Sequence, residues 1–306
     1  MSRIPRLPEE TLHEILSLCM TPSNFFERYG DGIYPDPRNS QLLLVSKQWL
    51  RIGTPILYRH LRLTDQEQTK TVGHLLAAHK ELGLAIRALR LEGGMGRELH
   101  MILSRAPNVE ALYVTRYYLH CTDSVAGLRR SLPSMNIKKL YYERAVRQRG
   151  NRVTRELEML MTEAIRDYWR ELKLVGFIFD FIERIPIETM QLLARLTHLE
   201  QVEFNSLDLD YMIFSGTLAP LQSAPHLNTV RIHGQYDEAD IRKALSHQLS
   251  PEFAKKFEFV RSGHDRWYEL AIYDGWGEFN SESESDSDSD LLPDYEEDSD
   301  ADSEHY

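Results

Sequence analysis

The sequence predicts an α/β protein with three parts: a short helical module, an irregular array of parallel strands with helices outside them, and an acidic tail without structure. Three observations predict it. Two apolar stripes at helical spacing occupy the first sixty-odd residues. A hexad of the form apolar-x-x-apolar-x-apolar then recurs between helical patterns. The last thirty residues alternate Ser with Asp or Glu and contain no Lys or Arg.

The module opens with Leu7-Pro8-Glu9-Glu10. Pro8 suits a first helical turn, where its missing N–H would have no partner anyway. Glu9 and Glu10 complement the positive end of the helix dipole. Leu12, Ile15, Leu16 and Cys19 follow at helical spacing as one apolar stripe. A second helical run is expected over 41–50, with Leu42, Val45 and Trp49 on one face. Leu57, Leu61 and Leu63 continue the apolar pattern beyond Pro55. A segment this small cannot bury both stripes alone, so it should dock on the rest of the chain or on a partner.

The hexads are Ile86–Leu91, Val109–Val114, Ile137–Tyr142, Trp169–Leu174, Leu199–Phe204 and Leu227–Ile232. Their last two apolar residues stand two apart, which is strand spacing, with mostly polar residues between them. Helical patterns cover Glu98–Ala106, Val153–Trp169, Glu188–Leu196 and Asp237–Leu249. Such a strand–helix unit cannot bury its apolar face alone, whereas stacked units share one continuous core. Phe257 and Phe259, then Leu270 and Ile272, alternate around a turn at Arg261–Asp265 and read as a last repeat with a terminal strand over the sheet edge.

The net charge of −11 over 306 residues is unevenly spread. Residues 278–306 hold thirteen acidic residues, which leaves 34 acidic against 36 basic in 1–277, about +2. The body is near neutral, so nucleic-acid binding is not expected. The best basic stretch, Arg144 to Arg152, reads as a solvated loop between repeats. There is no apolar run of eighteen residues and no apolar leader, so neither a membrane span nor secretion is expected, and the cytoplasm, the nucleus or both are. Cys19 and Cys121 are too few for a disulfide framework or a zinc site and read as buried free thiols.

No catalytic residue, cofactor or metal site is expected. Gly93-Gly94-Met95-Gly96 lies between a strand and a helix, but its spacing fits neither the dinucleotide nor the Walker pattern. A repeat turn explains it, and likewise Gly176 and Gly234. The twelve histidines are scattered, and His264-Asp265 reads as a turn.

The run Leu7-Pro8-x-Glu10-x-Leu12-x-x-Ile15-Leu16, followed by Leu44-Val45-Ser46-Lys47-x-Trp49, resembles the F-box motif. Tyr58-Arg59-His60-Leu61 matches its aromatic-basic exit. The chain departs from the family in the insertion over residues 20–40, which carries Pro22, Gly30, Gly32, Pro35 and Pro37. The repeat loosely resembles leucine-rich repeats, without their asparagine ladder. Together the resemblances imply an F-box over 1–63, a leucine-rich-repeat-like substrate-binding solenoid over 64–277 and a disordered tail over 278–306. They imply a substrate-recognition adaptor of an SCF-type ubiquitin ligase. A Skp-type adaptor, and through it a cullin, would bind at or be supported by Leu7, Pro8, Leu12, Ile15, Leu16, Val45, Ser46 and Trp49. A protein target of unknown identity would bind the repeats. The alternative is a repeat-based interaction scaffold unrelated to ubiquitination. In the tail, Ser281, Ser283, Ser285, Ser287 and Ser299 each have an acidic residue three positions on. That spacing resembles an acidophilic kinase site. A solubilising tail accounts for it equally.

Overall fold

Hexad spacing and strand pairing meet in one open sheet. In the computed structural model, which describes residues 7–20, 40–115, 119–144, 151–179, 185–205, 209–234 and 237–260, eight parallel strands lie side by side in chain order. They are β1 His60–Leu63, β2 Ala88–Leu91, β3 Ala111–Thr115, β4 Lys139–Arg144, β5 Leu174–Phe179, β6 Gln201–Asn205, β7 Thr229–His233 and β8 Phe257–Val260. The chain divides into units of Met1–Ser262 and Gly263–Tyr306, and the second lies outside the described residues. So do the five tail serines, the turn at Arg261–Asp265, most of the 20–40 insertion and most of the basic stretch.

The order β1 to β8 has no reversal. Parallel crossovers are almost always right-handed, so an unreversed order puts every connecting helix on one face. Those helices are α3 Gln66–Ala78, α4 Lys80–Ala85, α5 Arg97–Leu103, α6 Ala126–Ser131, α7 Arg152–Glu163, α8 Ile187–Ala194, α9 Leu209–Phe214, α10 Glu238–Gln248 and α11 Pro251–Ala254. Asp65, Asn151 and Asp237 start α3, α7 and α10 with side chains that accept backbone N–H groups. Between strands and helices runs one continuous core. The paired positions Leu89, Leu112, Leu140, Val175, Val202 and Val230 form its floor.

A carbonyl ladder ties each repeat to the next at the strand entrances. Arg59 C=O accepts the N–H groups of Arg87 and Ala88 at 2.9 and 3.1 Å. Arg87, Glu110, Lys138, Lys173 and Glu200 each repeat the arrangement toward the following strand.

The register corrects one hexad. Leu140 pairs with Val175, so the fourth copy is Leu172-x-x-Val175-x-Phe177 and not Trp169–Leu174. Trp169 is instead fully buried at the end of a π turn, Ala164–Tyr168, that follows α7. Gly176 is likewise no turn residue: it sits inside β5, where any Cβ would collide with the Tyr141 ring. Gly94 has φ 64°, and any Cβ there would collide with Thr69 Oγ1 and the Asp65 carbonyl of the preceding repeat. His60 and Leu61, the second half of the Tyr58–Leu61 stretch read as the exit of the N-terminal motif, open the first strand of the sheet, His60–Leu63. Phe257–Val260 pairs in parallel with β7, as a last repeat would.

The N-terminal module consists of α1 Glu9–Met20, a 3-10 turn Leu42–Leu44 and α2 Lys47–Leu57. The expected helix over 41–50 breaks at Ser46. Its backbone is extended there, and its Oγ accepts the Trp49 N–H at 3.2 Å, which starts a new helix. The break changes which residues turn inward: Leu43 is buried, while Val45 is exposed. On α1 the buried stripe is Leu12, Leu16 and Met20, so Ile15 and Cys19 face outward. Cys121 is exposed too, against the expectation of two buried thiols.

Candidate functional site

Two surfaces stand out: the outer face of the module and the face of the sheet opposite the helices. The module has its own small core of Leu12, Leu16, Met20, Leu43 and Ile56, with Leu42, Trp49, Ile52 and Leu57 packed against it. The same segment carries Leu7, Ile15, Leu18, Leu44, Val45 and Leu50, all exposed. Leu18 and Leu44 are 80% and 82% accessible. Among the described residues, eleven large apolar side chains are exposed, and these six fall within Leu7–Leu50. Exposed apolar side chains concentrated in one segment point to an interaction surface more than the same number scattered over the chain. Glu9 and Arg51 form an ion pair that joins α1 to α2 at the surface.

The eight residues singled out in the sequence separate by role. Leu7, Pro8, Ile15 and Val45 are exposed and can touch a partner. Leu12 and Leu16 are core, Trp49 is half-buried against it, and Ser46 caps α2. Leu18, Leu44 and Leu50 were not anticipated. Leu18 stands three residues after Ile15, and that spacing places both on one helix face.

The strand-lined face was not anticipated by residue either. Its signal is the fifth position of each hexad, the residue between the last two apolar ones. Register aligns Arg62, Arg90, Tyr113, Tyr141, Gly176, Glu203, Arg231 and Glu258 into one row across the sheet. Over β1–β4 the row is densely paired. Glu92 takes Arg90 Nε at 2.6 Å and also bonds Arg62. The Arg90 guanidinium lies 4.0 Å above the Tyr113 ring, and the Tyr113 hydroxyl donates to Glu143. Arg90, Glu92, Tyr113 and Glu143 are all buried. Burial, reinforced by the Glu143 charge, holds the Tyr113 phenol well above its ordinary pKa, so it stays a donor.

Toward β8 the row opens. Glu203 accepts from Arg231 Nη1 and pairs with His233 Nε2, each at 3.3 Å, and bonds Gln201. Arg231 Nη2 reaches Glu258 at 3.0 Å. Burial works to raise the Glu203 carboxyl. The His233 hydrogen bond and the His233 and Arg231 charges outweigh it and hold the group below the usual range. Burial and the Glu203 charge push the Tyr141 phenol up. The row is thus a chain of mutually satisfied charges and aromatic rings, open at the β7–β8 end.

A Ser–His contact occurs away from both surfaces: His100 Nδ1 lies 2.9 Å from Ser131 Oγ. The Ser131 hydroxyl already donates to Gly127 C=O, so His100 donates to it and does not draw a proton from it. The pair locks α5 to α6. Among the described residues no group of three or more His, Cys, Asp or Glu could hold a metal ion, and no helix is long and apolar enough to cross a membrane. No protein-family model matches the chain, and no curated protein matches it.

Proposed function

We propose that this chain is the substrate-recognition subunit of an SCF-type ubiquitin ligase. The module acts as an F-box that docks a Skp-type adaptor and, through it, a cullin. The strand-lined face, read as that of a leucine-rich-repeat-like array, receives a protein target. The reading assigns ubiquitin transfer to other subunits and no chemical step to this one. The observation that carries it is the set of six exposed apolar side chains beside a five-residue core, on the segment whose sequence resembles the F-box. Apolar surface of this kind is stabilised by burial at roughly 25 cal/mol per Å². The tail serines that have an acidic residue three positions on would tune the assembly electrostatically when phosphorylated.

Co-purification of the full chain with a Skp-type adaptor tests the proposal. Leu18→Ser with Leu44→Ser alters only exposed side chains, so the fold should persist while capture falls at least about tenfold, the equivalent of about 1.4 kcal/mol. Leu12→Ala is less informative, because it opens the small core. Adaptor recovery at background from the wild type, or equal recovery from the double variant, would sink the idea.

A further inference from the structure

The module and the sheet are joined without slack. α2 ends at Leu57 and β1 begins at His60, so only Tyr58 and Arg59 lie between them. Both are bonded backward into the helix: Tyr58 N–H donates to Thr54 C=O at 3.2 Å and Arg59 N–H to Ile56 C=O at 3.1 Å. Arg59 C=O is at the same time the first rung of the carbonyl ladder, holding Arg87 and Ala88 of β2. At its other end β1 is fastened again, since Leu63 C=O accepts the N–H groups of Glu92 and Gly93 at 2.8 and 3.3 Å. The Arg62–Glu92 pair adds a side-chain tie on the strand-lined face. On the module side, Ile56 and Leu57 belong to the small core that backs the exposed apolar face.

One bond in this path is missing. Pro55 sits inside α2, in its last turn. It has no N–H to donate to Arg51 C=O, so the turn that joins the module to β1 lacks one of the bonds that would hold it. Local opening costs least at helix ends, and an element that opens and closes can be biased from either side.

We propose that the Pro55–Arg59 turn couples the two surfaces, so that a partner seated on the exposed face of α1 and α2 closes the turn and firms β1 and β2. The identity of that partner rests on the function proposed above; the coupling does not. Occupancy of the module is then felt at Arg62, Arg90 and Glu92, the first part of the paired row. The coupling is reciprocal, so ligands of the sheet face strengthen docking at the module by the same factor.

Amide hydrogen exchange on the full chain tests this. A saturating recombinant Skp-type adaptor should slow exchange at Leu61–Leu63 and Leu89–Leu91 by about tenfold, within the usual range of such couplings. Val202 and Val230, in β6 and β7, should change less than about twofold. Pro55→Ala restores the missing donor. It should slow exchange at the same β1 and β2 amides without any adaptor and shrink the adaptor's own effect. Adaptor that binds yet leaves β1 and β2 unchanged overturns the coupling and spares the function. If no adaptor binds, the proposed function fails and Pro55→Ala alone decides: protection gained in β1 and β2 upholds the coupling, and protection confined to α2 overturns it.

Discussion

Among its described residues the N-terminal module buries Leu12, Leu16, Met20, Leu43 and Ile56 and leaves six large apolar side chains outside. Among its described residues the eight-stranded region buries most of its apolar side chains in one core and turns charged and aromatic residues to its other face. In the first region apolar surface remains to be covered. In the second, each charge on the row already has an opposite charge or a ring beside it. Under the proposed function the two surfaces would bind by different means: burial of apolar area at the module, and exchange of one set of polar partners for another at the sheet.

The largest effect should come from the core of the sheet region. Trp169→Ala removes a fully buried indole and should cost about 4 kcal/mol in denaturant-monitored unfolding. A loss below about 1 kcal/mol would mean that the π turn collapses onto the gap and that the core is less tightly built than the module's. Next, Glu92→Ala removes the carboxylate shared by Arg62 and Arg90 and should cost about 3 kcal/mol. A near-neutral outcome would show that the row is recognition surface with little structural role. Gly176→Val drives the Tyr141 ring off β5 and away from Glu203, at about 2 kcal/mol. Retained stability together with a lowered Tyr141 pKa, read by ultraviolet titration, would show that the ring simply moved into water.

The smallest effect is a pH dependence at the boundary between the regions. Burial, with the Arg59 charge adding to it, pushes the His60 imidazole from 6.5 to about 4. Between those values the unfolded chain holds a proton that the folded chain does not. The contribution is therefore complete above pH 6.5 and is lost as pH falls through 4. After allowance for solvent screening it amounts to about 1–2 kcal/mol. Unfolding midpoints measured between pH 7 and 5 should fall, and His60→Gln should flatten the slope. An unchanged slope would place the titration elsewhere.

The sheet was legible in sequence where a framed apolar pair closed a full hexad, as at Leu89-Arg90-Leu91 or Val230-Arg231-Ile232; Leu61-Arg62-Leu63 has the same frame but was read with the N-terminal module. Register slipped where that frame was lost. From Leu174 to Phe179 the strand is apolar except for Gly176, so the pattern fits equally well three residues earlier, starting at Trp169. The break at Ser46 was hidden because Leu42, Val45 and Trp49 fit one helix, and only the cap hydrogen bond separates the two pieces. The row across the sheet was present in the fifth hexad position, but which of those residues meet depends on pairing between strands 23 to 35 residues apart, and no local pattern contains that.

The carbonyl ladder has a consequence for how such a chain can change. Each rung fixes where a strand enters the sheet and says nothing of the path taken to reach it. Paired positions recur at Leu61, Leu89, Leu112, Leu140, Val175, Val202, Val230 and Phe257, so the connecting chain varies by a dozen residues while the rungs at β2 to β7 stay the same. The sheet counts strands and is indifferent to the length of chain between them. Segments can therefore be lengthened, shortened or exchanged on the helical side, one repeat at a time, while the spacing of the opposite face is preserved.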